Sequence, residues 1–276
     1  MSTRAQVWGI LNVTPDSFSD GGQFINPRQA LAHAQSMLDA GADVIDVGGE
    51  STRPGALKVD IATELERVLP IITAIARAGV TVSIDTMHAD VAARAVEAGA
   101  TIINDVSGGL NDPEILNVAA RTGTDLVLMH WRGHSDVMDQ MATYSGVTSE
   151  VVEHLQERRS AAIAQGVSID RIILDPGFGF AKNAEHNWQL LRDIDSWMTL
   201  GSRVLVGASR KRFLSDCVAD DSDGSAQDRD AASTAVVTYA ALHGAWAVRV
   251  HDVASAVAAT KVATQLHAAT KPWEIW

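Results

Sequence analysis

Short, nearly continuous apolar runs recur along the chain, each preceded by a segment of helical periodicity and a glycine. The instances are "LDAGADVIDVGGE", "IARAGVTVSIDT", "VEAGATIINDVSGG", "RTGTDLVLMH", "AQGVSIDRIILDPG", "LGSRVLVGASRK" and "LHGAWAVRVHD". Their punctuating residues are Gly41, Gly79, Gly99, Gly123, Gly166, Gly201 and Gly244. A glycine after the last turn of a helix takes the left-handed conformation that closes it, so each predicts a helix-to-strand turn. With the opening run, strands are predicted near 7–13, 44–48, 82–86, 101–106, 125–130, 171–175, 203–208 and 247–251. Runs that are apolar on both faces belong to parallel strands covered on both sides. The segment "NPRQALAHAQSMLDAG" predicts a helix with Asn26 as its N-cap and Pro27 at its first position. "TSEVVEHLQERRSAAIAQG" carries acids early and Arg158 and Arg159 late, in keeping with a helix dipole.

Eight such β–α units predict a closed (β/α)8 TIM barrel, a single domain over residues 1–276, with its active site at the C-terminal ends of the strands. The competing open, doubly wound sheet carries a glycine-rich dinucleotide fingerprint after its first strand. Here that place holds "NVTPDSF". Nothing linker-like suggests a second domain, and "DCVADDSDGSAQDRD" at 216–230 reads as an acidic, mobile loop.

Composition narrows the picture. The formal net charge is −12, which disfavours a general affinity for nucleic acid. No apolar stretch has a membrane-spanning length, and "MSTRAQVWGILNV" lacks the apolar core and cleavage site of a signal peptide. One cysteine, Cys217, excludes an internal disulfide. A reducing cytoplasm is the expected compartment.

Polar residues stand at nearly every predicted strand end: Asn12, Asp46, Asp85, Asn104, His130, Asp175, Ser209 with Lys211, and Arg249 with His251. Singly, each reads as a cap, a turn or a rim salt bridge; as a ring facing one mouth they read as a site. Arg249 and His251 are two apart and share a strand face, next to Asn12 on the first strand of a closed barrel. Together they suit an anion, such as a phosphate with a metal counterion; the bland alternative is a bridge from Arg249 to Asp252. Asp85, Asn104 and Asp175 offer acceptors and one donor, which suits the edge of an aminopyrimidinone ring. Lys211 reads as a donor reaching into the barrel. No zinc-type ligand cluster and no nucleophile elbow is present, so the chemistry expected is electrostatic and positional.

The stretches "GILNVTPDSFSDGG", "DVIDVGGESTRPGA", "VSIDT", "INDVSGG", "LDPGFGFAKN", "GASRKRF" and "RVHDV" run in order from residue 9 to residue 253. As an ordered set the chain closely resembles the dihydropteroate synthase family of pterin-binding barrels. The resemblance implies condensation of 6-hydroxymethyl-7,8-dihydropterin diphosphate with p-aminobenzoate, giving 7,8-dihydropteroate and pyrophosphate, with the diphosphate leaving before the amine attacks. It implies that Asp85, Asn104, Asp175 and Lys211 hold the pterin, with Arg249 over its face. Arg249, His251 and Thr52 would hold the diphosphate, and Asn12 would ligate Mg²⁺. Phe18, Pro54, Phe180 and Ser209 would form the p-aminobenzoate site, open to sulfonamides. Asp85, Lys211, Asp20 and Arg53 are the catalytic residues it implies, with "TPDSFSDGG" acting as a lid. A homodimer is what the family suggests.

Three rivals stand beside this reading. A methyltetrahydrofolate methyltransferase shares the pterin clamp, but it has no need of a diphosphate site, against "ESTRPG", "SRK" and "RVH". A catalytically silent relative would have lost loop residues, whereas Asp16, Phe18, Asp20, Ser51, Thr52 and Arg53 are all present. A sugar-phosphate barrel enzyme would carry a glycine-rich phosphate loop after strands seven and eight.

Overall fold

The computed structural model describes residues 4–14, 27–50, 59–134, 136–218 and 225–268. Eight parallel strands close into a barrel in chain order. They are β1 (Gln6–Asn12), β2 (Val44–Gly48), β3 (Val82–Asp85), β4 (Ile102–Asp105), β5 (Asp125–Met129), β6 (Ile172–Asp175), β7 (Arg203–Val206) and β8 (Ala247–Val250). The helices are α1 (Pro27–Asp39), α2 (Ile61–Arg77), α3 (Ala89–Glu97), α4 (Glu114–Thr122), α5 (Val147–Ala164), α6 (Ala184–Arg192), α7 (Ile194–Met198), α8 (Asp230–Leu242) and α9 (Val253–Ala268). The predicted strands fall within about two residues of these bounds, the scatter expected at element ends. All seven punctuating glycines have positive φ, from 66° at Gly123 to 114° at Gly99. Pro27 opens α1, while Asn26 lies outside the described residues.

One local expectation is corrected. Arg158 and Arg159 do not complement the end of α5, whose last turn holds no base. Arg159 instead donates to the Leu200 carbonyl, tying α5 to the turn before β7. Of the acidic stretch at 216–230, residues 219–224 lie outside the described residues. Short 3₁₀ turns run over Arg212–Cys217 and Gln227–Arg229, and Arg210 pairs with Asp230 at 2.6 Å.

The strand period of two sorts side chains into those that face the helices and those that fill the barrel. Val7, Leu11, Ile45, Val47, Ile84, Ile103, Leu128 and Leu174 belong to the large outer core against the helices. Trp8, Val44, Ile102, Val127, Ile173, Leu205 and Ala247 form a separate buried cluster within the barrel. That cluster plugs the barrel, as side chains do in this architecture. Beneath it, Asp125 pairs with Arg203 at 2.8 Å and Arg171 at 3.1 Å, and Trp246 stacks against Arg203 and the edge of Trp8.

Among the described residues no helix is long and apolar enough to cross a membrane. Because Trp8 is fully buried in the plug, Trp8→Ala should lower unfolding free energy by about 3–5 kcal/mol in denaturant titrations. A loss below about 1 kcal/mol would show that the plug is not a packed layer.

Candidate active site

One pleat above the apolar plug, the same strand faces turn polar. Two residues on from Val44, Ile102, Ile173 and Ala247 come Asp46, Asn104, Asp175 and Arg249. On β3 the equivalent positions are Ser83 and then Asp85, with Asp85 in register with Gly48 and Asn104. The site therefore follows from alternation: the faces that build the plug present polar groups at the mouth.

Arg249 organises this layer. Its Nε donates to Asp46 Oδ2 at 2.5 Å and its Nη2 to Asp85 Oδ2 at 2.6 Å. Asn104 Nδ2 donates to both Asp46 oxygens, at 3.2 Å to the Oδ2 that Arg249 also holds and at 3.4 Å to Oδ1. The bridge from Arg249 to Asp252 weighed from sequence does not form. Asp252 accepts from the backbone and hydroxyl of Ser255 at the start of α9.

Lys211 and Asp175 lie on the β6–β7 side. The Lys211 ammonium sits 4.0 Å from the centroid of the Phe180 ring. Its neighbours are engaged elsewhere, Arg210 with Asp230 and Arg212 with Asp139. Asp175 Oδ1 accepts from Gly177 N–H at 2.7 Å. Ser209 Oγ and His251 Nδ1 are 3.0 Å apart, and the Oγ also accepts from His251 N–H. Two glycines leave the mouth open. A Cβ on Gly48 would sit 3.6 Å from Asn12 Oδ1 and 3.7 Å from Asp85 Oδ2; one on Gly207 would sit 3.5 Å from Asp175 Oδ2.

Burial drives Asp85, Asp175 and Lys211 toward neutrality. It raises Asp85 to about 7, the Arg249 guanidinium opposing the shift and Asp46 adding to it. Asp175 is also raised by burial, against its bond from Gly177 N–H and the Lys211 charge. Burial lowers Lys211 to about 8, with the like charge of Arg249 helping.

Of the residues proposed from sequence, Asp85, Asn104, Asp175, Lys211, Arg249, His251, Ser209, Phe180 and Asn12 lie at or just beyond strand ends around one mouth. Phe18, Asp20, Thr52, Arg53 and Pro54 lie outside the described residues. Asp46, placed in the ring of strand-end residues but given no role there, is fully buried and holds Arg249. Two contributors were missed. Asp105 closes the turn after β4, accepting from Ser107 N–H and Oγ and from Gly109 N–H; burial raises it to about 6. Lys182, buried behind the β6–α6 loop, bonds to His130 Nδ1 at 2.9 Å. Separately, Glu64 Oε2 pairs with His88 Nδ1 at 2.9 Å near Glu50, and these three side chains have metal-ligand chemistry.

Comparison with known proteins agrees with this geometry. The sequence profile described as pterin binding enzyme matches residues 8–251. A dihydropteroate synthase of Mycobacterium leprae (strain TN) is 47% identical over 261 residues, covering 93% of this chain and 92% of that protein. The Yersinia pestis dihydropteroate synthase, solved with a sulfonamide drug complex, superposes with a TM-score of 0.89 at 42% identity, covering 96% of this chain and 95% of that one. The Xanthomonas albilineans dihydropteroate synthase in complex with 7,8-dihydropteroate superposes with a TM-score of 0.85 at 39% identity, over 96% and 94% of the two chains. On sequence and fold alike, this chain belongs to the pterin-binding enzymes and, among them, to the dihydropteroate synthase family.

Proposed function

We propose that the chain catalyses the condensation of 6-hydroxymethyl-7,8-dihydropterin diphosphate with p-aminobenzoate. The observation that carries this is the buried layer in which Asp85, Asn104 and Asp175 share one mouth with Arg249 and Lys211. A methyltransferase needs the acids but not the cations, and a sugar-phosphate enzyme needs the cations but not the acids. The bound 7,8-dihydropteroate of the Xanthomonas relative and the sulfonamide of the Yersinia relative support the same substrates here.

In this reading Asp175 and Asn104 meet the donor and acceptor edge of the pterin, with Lys211 donating to a ring acceptor. Arg249 keeps its salt bridges to Asp46 and Asp85 and presents its guanidinium face to the ring, a stacking that a planar cation favours. His251 and Thr52 take diphosphate oxygens. The bond between the pterin methylene carbon and the diphosphate oxygen breaks, and its electron pair leaves with pyrophosphate. The Asp85 carboxylate offsets the positive charge left on the pterin, in a site already organised for it. The arylamine nitrogen then attacks the methylene carbon and loses a proton. Phe180, Ser209, Phe18 and Pro54 orient the amine, and Asp20 and Arg53 complete the closed loops that exclude water.

Mg²⁺ fits the Asn12 end of the mouth. Asn12 Oδ1 and Asp85 Oδ2 both border the position a Gly48 Cβ would take, 3.6 and 3.7 Å from it, and oxygens of this kind are the ligands Mg²⁺ takes. Bound there, the ion would neutralise charge on the departing pyrophosphate. We further assign the chain to the cytoplasm as a single-domain homodimer. The lone free thiol of Cys217 supports the compartment, and family resemblance supports the rest.

The direct test supplies purified protein with both substrates and Mg²⁺ and follows pyrophosphate and 7,8-dihydropteroate in equal amounts. Folded protein that releases neither would overturn the assignment. Asp175→Asn turns an acceptor into a donor facing a ring N–H, so calorimetry should find pterin affinity weaker by about tenfold or more. Unchanged affinity would remove Asp175 from the clamp. The pH profile carries a sign. The Asp85 carboxylate exists above about 7 and the Lys211 ammonium below about 8, so kcat/KM for the pterin substrate should peak between those values. Asp85→Asn should abolish the acid limb beyond that due to the substrate's own phosphate. An unaltered limb would exclude Asp85 as its origin.

A further inference from the structure

The loop between β6 and α6 carries Phe180 through an unusual backbone path. Gly177, Gly179 and Ala181 all have positive φ, at 70°, 75° and 48°, the last without the freedom of glycine. Such a path leaves backbone groups that neither sheet nor helix bonds, and buried ones must find partners. Lys182 supplies them. Its side chain runs back behind the loop, and its Nζ donates to Gly177 O at 3.0 Å, Phe180 O at 3.1 Å and His130 Nδ1 at 2.9 Å. Three acceptors meet the three N–H groups of an ammonium, a divergence that the planar fork of arginine does not reproduce.

The third acceptor ties the loop to the barrel. His130 follows β5 and is fully buried, and burial with the neighbouring Lys182 charge lowers its pKa, so the ring is neutral. With Nδ1 accepting, the proton resides on Nε2, and the His130 ring packs edge-on with that of His154, their centroids 4.8 Å apart. Other ties finish the turn: Tyr144 Oη donates to Ala181 O at 2.9 Å, and Gly179 N–H donates to Asn187 Oδ1 at 2.7 Å. On its far side the loop meets the mouth. The Phe180 ring lies under the Lys211 ammonium, and a Cβ on Gly179 would come within 2.8 Å of Lys211 Cδ.

We infer that Lys182 is a positioning residue for the arylamine half of the reaction: by clamping the Gly177 and Phe180 carbonyls to His130, it sets where Phe180 stands. This rests on the proposed function, in which Phe180 lines the p-aminobenzoate site. Lys182 makes no hydrogen bond to Asp85, Asn104, Asp175 or Arg249, and Asp175 and Lys211 feel only its charge, so its loss falls on the amine more than on the pterin.

The test is steady-state kinetics of wild type, Lys182→Met and Tyr144→Phe, each checked for folding by thermal unfolding. Lys182→Met should raise KM for p-aminobenzoate about tenfold, while KM for the dihydropterin diphosphate and kcat stay within about threefold. Tyr144→Phe, which removes a single loop tie, should raise the same KM about threefold, and it decides the matter if Lys182→Met fails to fold. Wild-type protein without turnover overturns both this inference and the proposed function. With an active wild type, parallel rises in both KM values, or a fall in kcat alone, overturn this inference only.

Discussion

The mouth of this barrel depends on one buried cation between two carboxylates. Arg249 comes from β8, whereas Asp46 and Asp85 belong to β2 and β3, so the guanidinium reaches past β1 across the point where the barrel closes. Asp46 is fully buried, and taking such a group out of water costs several kcal/mol unless its lone pairs are met. Arg249 Nε and Asn104 Nδ2 meet them. Buried ion groups of this kind contribute little net stability when complete, yet losing one partner leaves an uncompensated charge. What the triad supplies is therefore organisation. It sets Arg249, Asp85 and Asn104 in one fixed arrangement before any ligand arrives, and such preorganisation is what electrostatic catalysis requires.

The apolar plug and the polar layer above it work together. The plug fills the barrel below, so the layer is solvated only from the mouth, and that partial dehydration moves Asp85 and Asp175 up and Lys211 down. The same dehydration strengthens every charge interaction in the mouth. Gly48 and Gly207 keep the space above this layer clear, so a planar ligand can reach groups that are otherwise buried. Behind the mouth, Lys182 and Asp105 play comparable parts for two loops: each is a buried ionisable group that bonds both turn backbone and one side chain.

Much of this was legible in the sequence. Apolar runs, helical spacers and left-handed glycines are local signals, and they predicted the barrel and its strand bounds closely. Polar residues at strand ends followed from the same alternation. The partners did not. Asp46 and Arg249 are 203 residues apart, and only closure of the sheet brings them together, so the short-range bridge to Asp252 stood as the alternative and Asp46 was given no partner. Lys182 was read as part of a motif, but its bond to His130 depends on the backbone turns at Gly177 and Ala181. Arg159 looked like a dipole partner because periodicity says nothing of a carbonyl offered by Leu200 from another element.

A double-mutant cycle on Asp46 and Arg249 tests the central dependence most directly. Asp46→Asn, Arg249→Met and the pair would be compared by calorimetric pterin affinity and by unfolding free energy. If the triad organises the mouth, each single change removes most of the pterin affinity and the double change adds little more, with a coupling of about 2 kcal/mol or greater. Losses that add would show that Arg249 and Asp46 act separately, and that the mouth is arranged by something else.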